Sequence, residues 1–276
     1  MLIEPGREMN KLVAGSTFTT CLRPTPYKDL HLGHAWVAWH NWSIASRMGG
    51  KFLLILDDLH YKLQRCENNP AALRLNEVAD RYAEALDWLG CPPDRIGMSS
   101  EADDLMQEAM DALSIKEPNI VEPESNYGIM FTRVGRFGNE ILQYTPWTTL
   151  SAVVDHRYFG VTGFVRGWEL VGEAFLYDYL HKQLGWVAPE QWYVPVVRRG
   201  WTYTKESNSD TGARTGATLL ELKQQGVTGE EILDTLRELD FRREQESRDC
   251  INIPMDLLCV PQRPGTLAYH LKGVAT

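Results

Sequence analysis

Long apolar runs are missing from this sequence. The longest, such as FLLIL at 52–56, are far shorter than the roughly 20 apolar residues that span a bilayer. The N-terminal residues MLIEPGREMNK lack the apolar core of a secretory signal peptide. These absences predict a cytoplasmic protein with no membrane partner. A chain of 276 residues is long enough for one large α/β domain with a smaller appendage.

Cysteine pairs and an excess of positive charge are also lacking. The five cysteines are scattered, at Cys21, Cys66, Cys91, Cys250 and Cys259. Their spacing matches neither a zinc site nor a disulfide framework, so we expect reduced thiols, no structural zinc and no other metal-ligand cluster. The formal net charge is -9, which gives no overall attraction to nucleic acid. Basic strips at 198–199 and 242–243 leave a local RNA contact open.

A βαβ pattern is present near the N-terminus. STFTTCL at 16–22 is rich in β-branched residues and predicts a buried strand, and the apolar spacing from His34 to Met48 predicts an amphipathic helix. KFLLILDD at 51–58 then predicts a second buried strand that ends in two carboxylates. A right-handed crossover would bring the loop before the helix and these carboxylates to the carboxyl ends of parallel strands, where ligands bind.

The rest of the chain alternates further helices and strands. The patterns predict helices over 70–89, 101–113, 217–226 and 229–243, strands near 96–99, 148–156 and 192–197, a strand-to-helix passage over 164–186, and an irregular segment over 116–137.

Two histidines three residues apart lie where the first predicted strand gives way to the helix. His31 and His34, with Gly33 between them, would form an anion site, because backbone N–H groups point outward at a helix N-terminus and both imidazoles can donate to phosphate oxygens. Such a pair would stabilise charge that grows on a phosphoryl group. The alternative interpretation is a pair of solvent-exposed helix caps.

Three segments resemble one enzyme family, in the order that the family has them. PTPYKDLHLGHAWVAWHNWSIASRMGGKFLLILDD (24–58) resembles the HIGH-motif segment of class I aminoacyl-tRNA synthetases, in the glutamyl-tRNA synthetase form. AVVDHRYFGVTGFVRGWELVGEAFLYDYLHKQLGW (152–186) is similar to a second segment, and KESNSDTGARTGATLLELKQQGVTGEEIL (205–233) resembles a degraded KMSKS loop with its following helix. The resemblance implies a Rossmann-type α/β domain with a parallel sheet, which uses ATP and Mg²⁺ to activate a carboxylate as its adenylate.

The resemblance also implies an ATP site. Its residues would be His31 and His34 on the triphosphate, Gly33 under the adenosine, Thr25 near the phosphates, Glu169 on the ribose, Val196 and Val197 at the adenine, and Lys205 and Ser207 in the KMSKS-like loop. His31, His34 and Lys205 would be the catalytic residues among these.

The KMSKS-like loop departs from the family pattern. Asn208 stands where the family has a lysine, so a cation expected beside the departing pyrophosphate is missing. Lys205 or Arg214 would have to compensate. The alternative interpretation of 204–211 is a polar surface loop.

The implied amino-acid pocket is polar but altered. Its positions are Cys21, Arg23, Asp57, Thr148, Ala152 and Arg166, of which Arg166 keeps the family's residue. Arg166 or Arg23 could supply a cation for a carboxylate side chain, and Asp57 an anion for the α-amino group. The alternatives are that Cys21 is a small core residue and that Arg166 pairs with Asp155 or Glu169.

The resemblance divides the chain into a first half of the Rossmann domain (1–115), an inserted subdomain (116–147), a second half (148–200) and a KMSKS-like loop with C-terminal helices (201–276). No anticodon-binding region is expected, as in the glutamyl-queuosine tRNA(Asp) synthetases, but the cysteine-rich zinc site of those enzymes is absent from 116–147. We expect ATP and an amino acid as substrates, and tRNA, a small molecule or a carrier protein as acceptor. A binding module without turnover is the alternative.

Overall fold

The structure is a computed structural model. It describes residues 17–26, 29–58, 75–116, 132–137, 140–146, 148–199, 218–245 and 250–253.

A parallel three-stranded sheet forms the centre of the first half. β1 (Thr19–Leu22), α1 (Leu32–Arg47) and β2 (Lys51–Leu56) make the predicted βαβ unit, and β3 (Arg95–Met98) follows in the order β1-β2-β3. Gly49 ends α1 with φ of 61°, a conformation that glycine adopts without strain. This confirms the predicted α/β fold class with parallel strands.

Helices flank this sheet along the chain. α2 (Leu75–Trp88) lies within the predicted helix over 70–89, and α3 (Asp103–Lys116) follows a short 3-10 turn at Ser99–Ala102. The described part of the predicted insertion is an antiparallel hairpin of β4 (Thr132–Phe137) and β5 (Glu140–Pro146). The irregular structure expected as far as 137 is therefore wrong for β4.

The segment predicted as a strand over 148–156 is a helix, α4 (Thr148–Tyr158). Its β-branched residues suggested a strand, but every residue from Thr149 to His156 is buried. A helix that is covered on all sides shows no amphipathic period, so its sequence has no helical signal for periodicity to detect. The error matters because α4 carries several of the site residues described below.

The second half continues with parallel pairs. β6 (Gly163–Gly167), a 3-10 turn at Trp168–Glu173 and α5 (Ala174–Leu184) confirm the predicted strand-to-helix passage, and β7 (Glu190–Val194) pairs with β6. The single strand predicted over 192–197 is two strands, because Pro195 separates β7 from β8 (Val196–Arg199) and lacks the N–H that would continue a ladder.

The last described elements are two helices and one strand. α6 (Leu219–Gln224) and α7 (Gly229–Gln245) confirm the two predicted helices, and Thr218 and Glu221 form a reciprocal capping box at the start of α6. β9 (Cys250–Ile253), which the sequence did not indicate, pairs in parallel with β8.

One buried side chain joins the two halves. Asn41 on α1 is fully buried, and its Nδ2 donates to the carbonyl oxygen of Val165 on β6 at 2.9 Å. The N–H of Val165 donates in turn to Oδ1 of Asn41, also at 2.9 Å. Nearby, the N–H of Thr162 donates to the carbonyl oxygen of Thr19 at 2.9 Å. The strand that carries Arg166 is thereby attached to the first βαβ unit.

Two hydrophobic cores lie on opposite faces of the central sheet. Along β2, Phe52, Leu54 and Leu56 pack into one core with α1 and α2, while Leu53 and Ile55 pack into the other with α3, α4 and α5. The alternation follows from the two-residue period of a strand that is covered on both faces. Among the helices of the described ranges, none combines the length and the apolar character that crossing a membrane requires.

Candidate active site

The predicted histidine pair caps helix α1. Nδ1 of His31 accepts the backbone N–H of Gly33 at 3.0 Å, and Nδ1 of His34 accepts the backbone N–H of His31 at 3.2 Å. The two rings lie 4.0 Å apart between centroids. Because each Nδ1 is an acceptor, a neutral ring carries its proton on Nε2. The caps therefore fix the tautomer that each imidazole would present to an anion.

The carboxyl end of β2 meets the loop before the histidines. The backbone N–H of Asp57 donates to the carbonyl oxygen of Pro24 at 3.0 Å, and Oδ1 of Asp58 accepts the N–H of Ser100 at 2.8 Å. Leu219 donates its N–H to the carbonyl oxygen of Leu30 at 2.8 Å, which places the start of α6 against the turn that holds His31. The residues that follow β1, β2 and β3 thus meet one another, and the start of α6 contacts the histidine turn.

The structure describes only some of the other residues of the implied ATP site. Thr25 is exposed, and its carbonyl oxygen accepts the hydroxyl of Tyr82 at 3.2 Å. Val197 is buried in β8. Glu169 and Val196 have a described backbone only. Lys205 and Ser207 lie outside the described residues, as do Asn208 and Arg214 of the same loop, so their assigned roles stay predictions.

Arg23 is fully engaged within the protein. Its Nη1 lies 2.9 Å from Oδ2 of Asp57, its Nε donates to Oδ2 of Asp155 at 2.6 Å, and its Nη2 donates to Oγ of Ser151 at 2.6 Å and to Oγ of Ser99 at 3.4 Å. Burial opposes the charge of Arg23, but the two carboxylates outweigh burial and raise its pKa. The guanidinium therefore bridges two acids and does not take the place of the arginine that the resemblance implies at the position of Cys21.

Asp155 is the second acid of this group and was not among the predicted site residues. It is fully buried, and its Oδ2 accepts both Arg23 and the Ser99 hydroxyl, the latter at 2.6 Å. Burial raises the pKa of Asp155, and the neighbouring Arg23 lowers it only in part. Ser151 and Asp155 are four residues apart and therefore neighbours on one face of α4, whereas the predicted strand would have separated them by about 13 Å.

Cys21 lies in a neutral, aromatic environment. Its Sγ is 3.5 Å from Nε2 of His156, whose ring is 4.4 Å from that of Phe164 and 5.9 Å from that of Tyr177. Burial raises the pKa of the Cys21 thiol to about 12 and holds the pKa of His156 well below its ordinary value. Both groups are thus neutral near pH 7. The alternative that Cys21 is a small buried residue is consistent with this environment.

Arg166 is held by partners on β7 and the adjoining 3-10 turn. Its Nη2 donates to the hydroxyl of Tyr193 at 3.0 Å and to Oε1 of Gln191 at 3.3 Å, and its Nη1 lies 3.5 Å from Oε2 of Glu173. The guanidinium also lies 4.3 Å from the ring centre of Tyr177. The alternative that Arg166 pairs with Asp155 is wrong, because Asp155 pairs with Arg23 and Glu173 is an acidic partner of Arg166. Pairing with Glu169 stays a prediction.

The last two predicted pocket positions lie on α4. Ala152 is buried, and Thr148 is the first residue of the helix, with a described backbone only. The structure therefore brings Cys21, Arg23, Asp57 and Ala152 into one region.

In the described part of the chain, no three His, Cys, Asp or Glu side chains are grouped as they would be around a metal ion.

Comparison with known proteins agrees with the motif resemblance. Residues 18–118 match the family described as tRNA synthetases class I (E and Q), catalytic domain. This stretch is similar to the catalytic domain of glutamyl-tRNA synthetase-like class I enzymes. The glutamate--tRNA ligase 1 of Brucella ovis is 33% identical over 97 residues, which cover 35% of this chain and 19% of that protein. The match thus spans about a fifth of the length of this curated relative.

Solved structures show the fold over a longer stretch. A glutamate tRNA ligase from Elizabethkingia meningosepticum, in complex with its amino acid, has a TM-score of 0.57 at 16% identity and covers 81% of this chain and 61% of its own. A tyrosyl-tRNA synthetase from Aeropyrum pernix has a TM-score of 0.50 at 15% identity and covers 71% of this chain and 58% of its own. At these identities the likeness concerns the fold alone, and it confirms the expected Rossmann-type α/β fold.

Proposed function

We propose that this synthetase-like protein activates an amino acid with ATP, forming an aminoacyl-adenylate and pyrophosphate. In this reaction a carboxylate oxygen of the amino acid bonds to the α-phosphorus, and the bond from that phosphorus to the pyrophosphate oxygen breaks. The observation that supports the proposal best is the pair of histidines at the N-terminus of α1. The pair follows the loop in which Pro24 accepts the N–H of Asp57 at the acidic end of β2, and it lies in the part of the chain that matches the synthetase catalytic domain.

The residues would act by positioning and by charge stabilisation. The Nε2–H groups of His31 and His34, with the N-terminal dipole of α1, would donate to phosphate oxygens and favour the charge that develops on the departing pyrophosphate. Asp57 would face the ammonium group of the amino acid. Mg²⁺ that enters with ATP would neutralise part of the phosphate charge, and no residue of this chain is assigned to hold it.

The acceptor of the activated amino acid is a separate part of the proposal. The family resemblance favours transfer to tRNA. Transfer to a small molecule or to a carrier protein would start from the same adenylate. A second candidate function is a nucleotide- or amino-acid-binding module without turnover. It is favoured by Asn208, which removes a cation from the KMSKS-like loop.

Pyrophosphate exchange with each of the twenty standard amino acids tests the activation step. His34→Gln is the sharpest variant, because glutamine at the third helical position can still accept the backbone N–H of His31 and preserve the cap. We expect it to lower exchange by roughly a hundredfold, the usual effect of losing one donor to a developing anion. His40→Gln on the same helix is the matched control and should exchange normally at pH 7.5.

The outcomes separate the candidate functions. Exchange that is equal in His34→Gln and in the unmodified protein would refute the assigned site. ATP binding by calorimetry without exchange for any amino acid would favour the binding module.

A further inference from the structure

Helix α2 holds the loop that precedes the histidine pair at two points. The hydroxyl of Tyr82 donates to the carbonyl oxygen of Thr25 at 3.2 Å, and Nε of Arg81 donates to Oδ1 of Asp29 at 3.0 Å. Thr25 lies near the start of this loop, and Asp29 lies two residues before His31. Two adjacent residues of one helix therefore bind the loop near both of its ends.

The helix that makes these contacts is itself fixed. Tyr82 is buried in the first hydrophobic core, and so is Leu30 of the loop. Nζ of Lys223 on α6 donates to Oε1 of Glu84 on α2 at 2.7 Å. The start of α6 is bonded in turn to the loop, through the N–H of Leu219 and the carbonyl oxygen of Leu30. The loop therefore contacts two helices that also contact each other.

The two contacts of α2 differ in their exposure to water. The Arg81–Asp29 pair is partly exposed, at 45% and 32% of the side-chain surfaces, so solvent and salt weaken it. Tyr82 has only 1% of its surface exposed, and its hydrogen bond is better shielded from water. We therefore expect Tyr82 to contribute more than Arg81 to the order of the loop.

We propose that Tyr82 and Arg81 are positioning residues for the phosphates of ATP. Both would act through the loop, and not by contact with the nucleotide, by keeping the turn of His31 and His34 ready to receive the phosphates. A loop that is ordered before its ligand arrives loses less conformational entropy on binding. Arg81 also offsets the negative charge of Asp29 close to this turn, where phosphate oxygens would be repelled. This assignment rests on the proposed function for the identity of the ligand.

Direct binding measurements test the positioning role without requiring turnover. ATP with Mg²⁺ is titrated by calorimetry into the intact protein, and adenosine is titrated by ligand-observed NMR, which detects weak binding. Tyr82→Phe removes one hydroxyl and keeps the ring in the core. We expect it to weaken ATP binding roughly threefold to tenfold, the usual effect of losing one hydrogen bond. Adenosine has no phosphates, so its affinity should be unchanged.

Arg81→Gln tests the second contact through its salt dependence. At low salt it should weaken ATP binding roughly twofold to fivefold, and the difference from the unmodified protein should shrink as salt is added, because exposed ion pairs are screened. Two matched controls should leave ATP affinity unchanged. Tyr158→Phe removes the hydroxyl of an exposed tyrosine on α4, and Arg95→Gln breaks another partly exposed ion pair, which Arg95 makes with Glu101 at 2.9 Å.

The outcomes distinguish this inference from the proposed function. Equal ATP affinity in the unmodified protein and in Tyr82→Phe would overturn the positioning role, even if the variant melts at a lower temperature. A loss as large for adenosine as for ATP would overturn it too, because it would show a general disturbance of the site. If ATP binding depends on Tyr82 but no amino acid supports pyrophosphate exchange, the positioning role stands and the activation proposal fails. If the unmodified protein binds no ATP, both fail.

Discussion

Asn41 offers a direct test of how the two halves of the fold are joined. Its side chain makes three hydrogen bonds, to both backbone groups of Val165 at 2.9 Å and to the carbonyl oxygen of Val37 at 3.0 Å. We expect Asn41→Leu, which keeps a similar volume, to leave the N–H and C=O of Val165 buried without partners. The strand that bears Arg166 would then lose its connection to α1.

The size of the effect follows from the number of groups left unpaired. A buried backbone group without a hydrogen bond costs about 1–3 kcal/mol, so two such groups cost about 2–6 kcal/mol. The whole free energy of unfolding of a domain is about 5–15 kcal/mol, so this is a large fraction of it. A domain of this size loses about 2–4 °C of melting temperature per kcal/mol, so the corresponding fall is about 4–24 °C.

Urea unfolding followed by tryptophan fluorescence measures this change. Asn76→Leu is the matched control, because Asn76 is exposed on α2 and the same substitution there should change stability by less than about 0.5 kcal/mol. A loss below about 1 kcal/mol in Asn41→Leu, with the slope of the urea transition unchanged, would refute the reasoning that Asn41 joins the two halves.

Two further predictions concern a buried histidine and the choice of substrate. Burial, with Arg47 and Arg237 nearby, lowers the pKa of His40 from 6.5 to about 4, so the unfolded chain takes up a proton first as the pH falls. We therefore expect protonation of His40 in the unfolded chain to lower the free energy of unfolding by about 2 kcal/mol between pH 7 and pH 5. His40→Gln should reduce the pH dependence of urea unfolding by that amount. An unchanged dependence would contradict the assignment. In pyrophosphate exchange, glutamate should be a poorer substrate than another standard amino acid, since Cys21 replaces the family's arginine. Efficient glutamate-dependent exchange, both in the unmodified protein and in Arg23→Ala, would show that the altered pocket positions are silent.

The sequence supported some predictions about this fold better than others. The first βαβ unit was predictable because its strands are short apolar runs, its helix is amphipathic and its histidine turn sits between them. Helix α4 was not, because residues 149–156 are buried on all sides and show no period. The error also concealed Asp155, since a strand would have placed it about 13 Å from Ser151, whereas the helix brings the two residues together one turn apart. Local patterns carry no information about partners far apart in sequence, so the bridge from Arg23 to Asp57 and Asp155 required the structure.

The alternation of side chains along β2 has a consequence for how the protein unfolds. Phe52, Leu54 and Leu56 belong to one core, while Leu53 and Ile55 belong to the other. Neither core can lose its order without disturbing the backbone that the other also uses, so we expect the amides of this strand to be among the last to exchange with deuterium. A slip of one residue in its pairing would send each side chain to the wrong core. The same strand therefore makes melting of the two cores cooperative and penalises an incorrect register during folding.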